Sequence, residues 1–169
     1  MKNILTLLWT INLIGTSTIS LVACNTPQYT EKELADLKEK NKINTDNQEI
    51  KDNLEWIKPQ EKPFNNNPND NKYFFVVWRS AENIDWRIVK FQNNNATKEL
   101  DNQGEFILRL SQLGGWRGID LAIFFKNSLR YRWLLDKNYF KSVYRWNIYK
   151  NIPNLTVDSK TGEVKVESK

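Results

Sequence analysis

The side chains that could do chemistry in this 169-residue sequence fall into three groups: one cysteine, seven arginines between positions 79 and 145, and the carboxylates scattered among them. Cys24 is preceded by Leu21, Val22 and Ala23, at the end of an apolar run from Ile4 to Val22 that follows the positive charge of Lys2. Small side chains ahead of a cysteine fit a narrow protease cleft, and the thiol is the nucleophile that accepts a diacylglyceryl group. Two acyl chains anchor a protein stably on a bilayer, whereas one gives marginal, reversible binding. Residues 1–23 therefore read as a lipoprotein signal peptide, with Leu21, Val22 and Ala23 as the lipobox and Cys24 as the lipidated, palmitate-bearing residue. An uncleaved membrane span competes, because the run approaches the roughly 20 residues that a bilayer needs. Against it, Asn12, Thr16, Ser17, Thr18 and Ser20 polarise the segment. An ordinary secretory signal is the other alternative, and both would still place the rest of the chain outside the cell.

The arginines are Arg79, Arg87, Arg109, Arg117, Arg130, Arg132 and Arg145. Residues 72–150 hold fourteen basic and seven acidic side chains, although the whole chain carries only +5. If alternating apolar residues face inward, Arg79, Arg87, Arg109, Arg130, Arg132 and Arg145 project outward, with Tyr73, Phe75 and Phe91 as exposed aromatics beside Arg79. Guanidinium groups next to rings can grip sulfates, phosphates or carboxylates in bidentate fashion, and rings can stack on sugars. That pattern is a candidate surface for an anionic or glycan partner, or for anionic lipid headgroups. A plain solvated face remains open, since long arginine stems can shield a sheet while their heads stay wet. No motif supports nucleic-acid binding.

Asp85, Asp101, Glu105, Asp120 and Asp136 are the acids available for catalysis, and two carboxylates at a suitable separation could cut a glycosidic bond. Asp101 and Asp136 sit where turns favour Asp. The sequence has no histidine and a single cysteine, which excludes histidine-based nucleophilic triads, histidine metal ligation, cysteine zinc clusters and intramolecular disulfides. Gly114–Gly118 lacks the Gly-Lys-Ser/Thr of a phosphate loop. No catalytic residue, metal or cofactor is assigned on these grounds.

The elements that must position these residues change character along the chain. Glu31–Ile57 contains no Pro or Gly and starts with a capping-box pattern, Thr30 and Glu33, so a solvated helix is expected there. The seven-residue steps from Ile43 to Ile50 to Ile57 offer a weak self-association seam. Lys58–Asn71, with three prolines and clustered Asn, reads as an extended linker. From Lys72 the apolar period falls to two: Phe106, Leu108 and Leu110; Ile119, Leu121 and Ile123; Leu129, Tyr131 and Trp133; Tyr144, Trp146 and Ile148. Turn-forming clusters separate these runs, and a closing hairpin should pair Leu155 and Val157 with Val164 and Val166. The expected fold is mainly β, an antiparallel meander or small sandwich, preceded by the signal segment, the solvated helix and the Pro/Asn-rich linker.

The lipobox, the Asn-, Lys- and Ile-rich composition, and the segments Tyr73–Arg79 and Tyr139–Asn147 together resemble mollicute surface lipoproteins of the spiroplasma type. The resemblance implies a lipid anchor on the outer face of a cell membrane and no defined activity. The organisation expected is a signal peptide over 1–23, a lipidated N-terminus with helical stalk and linker over 24–71, a basic β-rich domain over 72–150, and a hairpin or tail over 151–169. The functional expectation is a non-catalytic surface protein displaying its β domain for binding or adhesion. An accessory lipoprotein of a membrane transporter is the alternative, followed by a small carboxylate-dependent hydrolase.

Overall fold

The computed structural model describes residues 29–59, 61–65, 70–94, 97–113 and 118–167. Leu21, Val22, Ala23, Cys24 and Arg117 lie outside the described residues. In chain order the elements are α1 (Glu31–Lys40), α2 (Gln48–Asn53), β1 (Leu54–Trp56), β2 (Tyr73–Trp78), β3 (Arg87–Gln92), β4 (Lys98–Gln103), β5 (Phe106–Gln112), β6 (Ile119–Phe125), β7 (Ser128–Arg132), β8 (Phe140–Trp146), β9 (Leu155–Val157) and β10 (Val164–Val166). The chain is mainly β, with antiparallel pairing throughout and two short helices among the described residues.

Six successive residues of β2, Tyr-Phe-Phe-Val-Val-Trp, carry no charge, and such a strand is stable only when both its faces are covered. It lies inside a four-stranded sheet, sheet I, in the order β1-β8-β2-β3. On one face Phe74, Val76 and Trp78 join Leu108, Leu110, Leu121 and Ile123 of sheet II, which is the meander β4-β5-β6-β7. On the other face Phe75, Tyr144 and Trp146 are covered by Ile43 and Ile50 from the N-terminal segment and by Leu155, Val164 and Val166 of the β9–β10 hairpin. The result is three layers, with sheet I in the middle. Phe75 (2% exposed) and Phe91 (6%) are therefore core residues and Tyr73 is half-buried, so the expected row of exposed aromatics does not exist.

The expected helix over Glu31–Ile57 divides in two. Thr30 caps α1 through the anticipated box: its Oγ1 accepts the Glu33 amide, and the Thr30 amide donates to the Glu33 carboxylate. The helix stops at Asn41, because Thr45 and Asn47 offer the backbone competing partners. Thr45 Oγ1 accepts the Asn47 amide, and Asn47 Oδ1 caps α2 by accepting the Ile50 amide. After α2 the chain extends as β1 and pairs with β8, Leu54 opposite Trp146 and Trp56 opposite Tyr144. Ile50 and Ile57, two of the three heptad positions, are buried within the chain rather than forming a surface stripe. The expected linker likewise gives up Phe64, which is 1% exposed and packs its ring 5.0 Å from that of Phe74.

Candidate functional site

Arg87, Arg109, Arg130, Arg132 and Arg145 sit on strands and Arg79 just past the end of β2, and most meet a partner inside the chain. Arg87 of β3 grips Asp101 of β4 with two bonds of 2.9 Å, and the buried Trp78 indole donates to the same carboxylate at 3.1 Å. Asp101 is thus a strand residue that ties the two sheets together, not the turn residue anticipated; Leu100 bulges from β4 beside it. Arg145 of β8 donates to Glu55 of β1 at 2.6 Å, and Asn147 donates to the same oxygen at 3.0 Å. Burial acts to raise the Glu55 pKa, but these hydrogen bonds from Asn147 and Arg145 outweigh it and hold the carboxyl below its ordinary value. Arg79 donates to the carbonyls of Asn138 (2.8 Å) and Glu82 (2.6 Å), with its guanidinium 4.4 Å above the Trp86 ring.

Arg132 departs furthest from expectation. The register of β7 against β6 shifts between Tyr131 and Leu129, leaving Arg130 as the extra residue of a bulge. Alternation breaks there, so Arg130 and Arg132 do not share one open face. Leu129 becomes 43% exposed, while the Arg132 side chain is only 13% exposed, with Nε 3.7 Å from the buried carboxylate of Asp120. Neither Asp120 Oδ2 nor Arg132 Nε has a hydrogen-bond partner among the described residues. Burial pushes the Asp120 carboxyl up to about 7 despite the counteracting Arg132 charge and the backbone amides of Leu134 and Leu121.

One end of sheet II sets three cations beside aromatic rings. Arg130 lies 5.5 Å from the Phe125 ring centroid and Lys126 lies 5.2 Å from it, while Arg109 sits 5.0 Å from Phe124. Arg109 is loosely balanced by Glu99 at 3.8 Å and Lys126 by Glu105 at 3.0 Å, whereas Arg130 has no ion-pair partner among the described residues. Leu129 stands opposite Phe124 across the strand pair, on the face that carries Arg109, whereas Phe125, the next residue of β6, points to the other face with Phe106, so each face of this end sets a ring beside positive charge. Such a surface can take an anionic group on its cations and a flat apolar or sugar face on its rings.

The remaining acids are dispersed. Asp85 is paired with Lys160 at 2.5 Å, and Asp136 accepts the Arg132 amide at 2.6 Å. Asp85, Asp101 and Glu105 are thus paired with Lys160, Arg87 and Lys126, while Asp120 and Asp136 both meet Arg132, one at its guanidinium and the other at its amide. No three of His, Cys, Asp and Glu come together as a metal site among the described residues.

A second basic feature escaped the sequence reading. Lys40 and Lys42 at the end of α1, Lys141 of β8 and Lys165 of β10 line one open cleft of about 670 Å³, whose only carboxylate among its described lining residues is Glu163. These lysines come from three separate stretches, and nothing in their spacing signals that the fold brings them together. The Tyr144 hydroxyl fixes the cleft floor by donating to the Asn41 carbonyl at 2.7 Å.

No family model matches the chain, and no solved structure matches it. It is similar at 23% identity over 123 residues to "Uncharacterized protein ORF1" of Spiroplasma virus SpV1-R8A2 B, a match covering 73% of this chain. The chain spans only 12% of that much longer protein. The similarity is a loose link to spiroplasma and carries no function with it.

Proposed function

We propose that this protein is a membrane-anchored surface lipoprotein of a spiroplasma-type cell, non-catalytic, which presents its β domain to an anionic or glycan partner outside the cell. The anchor in this reading is the diacylglyceryl group on Cys24, indicated by the sequence Leu21-Val22-Ala23-Cys24 behind an apolar run. The similarity to a spiroplasma virus protein supports the cellular setting.

The single observation that favours binding is the β6–β7 end of sheet II, where Arg130 and Lys126 lie by the Phe125 ring on one face and Arg109 lies by Phe124, beside the exposed Leu129, on the other. Arg79, Arg87, Arg132 and Arg145 are absorbed by internal partners, so the candidate surface narrows from six arginines to this hairpin. Because β6 is rooted in the core through Leu121 and Ile123, the hairpin is presented on a rigid frame.

Two measurements test the reading. Fatty-acid labelling should mark the wild type and not Cys24→Ser; equal labelling would remove the anchor. Retention on immobilised heparin should fall steeply with salt and drop in Arg130→Ala and Lys126→Ala, while Arg87→Ala leaves retention close to wild type. Retention that ignores the hairpin substitutions would remove the surface.

A further inference from the structure

We propose that the lysine cleft between the end of α1 and the β9–β10 hairpin is the face with which the domain lies on an anionic bilayer. Lys40, Lys42, Lys141 and Lys165 surround the cleft, and Glu163 is the only carboxylate among its described lining residues. Lys42 approaches Glu39 at 3.7 Å in an ion pair exposed on both sides, which solvent weakens. Lys40, Lys141 and Lys165 have no ion-pair partner among the described residues. Lysine ammonium groups are mobile point charges, suited to a diffuse headgroup layer rather than to bidentate capture of one defined group.

Chain length lets this face reach the membrane, an argument that rests on Cys24 being the lipidated residue. Four residues lie between Cys24 and Tyr29, so five steps of ~3.5 Å give a reach of at most about 18 Å. Tyr29 is pinned beneath the Lys137 ammonium at 4.0 Å, and α1 then runs about 15 Å to the cleft. The N-terminal segment packs on the domain through Asn41, Ile43 and Ile50, so it does not hold the domain off as a free stalk. Sheet II lies on the opposite side of sheet I, which leaves the Arg130 hairpin facing away from the lysine layer.

The acylated full-length protein, reconstituted in phosphatidylcholine vesicles with and without phosphatidylglycerol, is pulsed with an amine-acetylating reagent and digested for mass spectrometry. Lys40, Lys42, Lys141 and Lys165 should react about five-fold more slowly, or slower still, on the anionic vesicles, with Lys126 on sheet II unchanged. In K141Q/K165Q the protection of Lys40 and Lys42 should fall toward the neutral-vesicle rate. Equal rates on the two vesicle types overturn the proposal. Equal protection by soluble glycerol phosphate also overturns it, in favour of a small-anion site. The same digest reads the Cys24 peptide, so loss of the anchor is scored separately. With a bare thiol, the labelling ratio on added vesicles still decides: slower lysines uphold the face, and equal rates reject it.

Discussion

Asp120 offers the sharpest test of the packing described above, because a carboxylate 1% exposed, with one oxygen lacking any hydrogen bond, should tie stability to pH. Burial pushes its carboxyl up to about 7 in the folded chain, against about 3.8 for an aspartate in water. The folded state therefore holds the proton more tightly than the unfolded one. Below about pH 4 both states are protonated and the contribution is fully present. As pH rises the unfolded chain ionises first, stability is lost progressively, and the loss is complete once pH passes about 7. Three pKa units at about 1.36 kcal/mol each give an upper bound of about 4 kcal/mol. Asp120→Asn removes the titration while keeping the shape. Urea unfolding followed by tryptophan fluorescence should show the wild type losing a few kcal/mol relative to Asp120→Asn between about pH 4 and pH 7. The opposite sign, or a constant difference across that window, would refute the assignment of a buried, proton-holding carboxyl beside Arg132.

The clasp between the sheets should be equally sensitive: Asp101→Ala leaves the buried Trp78 indole unpaired and frees Arg87, for a loss of about 2–3 kcal/mol in denaturant unfolding. Phe64→Ala should cost about 3–5 kcal/mol, since its ring is enclosed by Phe74, Phe91 and Trp133, whereas an unpacked linker residue would cost almost nothing. Gly162 has φ +75° and a Cβ there would meet Trp86 at 3.1 Å, so Gly162→Ala should lower the melting temperature and loosen the C-terminal hairpin, read by faster amide exchange at Val164 and Val166. Thr30→Ala should speed exchange in the first turn of α1 with little change in global stability, because α1 contributes no fully buried residue.

What local pattern determines was readable from the residues. The alternation of Phe106, Leu108 and Leu110 and of Ile119, Leu121 and Ile123 placed β5 and β6, and the C-terminal hairpin pairs as expected, Val157 opposite Val164 and Leu155 opposite Val166. Features requiring distant partners were not. Leu54–Trp56 looks helical until β8 supplies an edge for it to pair with, and Phe64 sits in a run of Pro and Asn whose composition conceals its burial. Period-two reasoning failed on β2 because a third layer covers its second face, and on β7 because one bulged residue changes the side to which its neighbours point. The basic surface shows the same division. Arginine positions are visible in sequence, but carboxylates that neutralise them arrive from other strands, and the lysine cleft exists only once three segments converge.

Sheet I is completed from both ends of the described chain, and this sets an order of events for a polypeptide that emerges N-terminus first. Glu55 finds Asn147 and Arg145 some 90 residues later, and the apolar back of β2 stays wet until the final hairpin arrives. Closing such long loops is slow, so until β8 is out, β1 and one side of β2 present unsatisfied edges to their surroundings. Trimming the polypeptide to the stretch between Lys72 and Lys150 would make that vulnerable interval permanent, which makes the terminal segments integral parts of the folding unit rather than appendages to it.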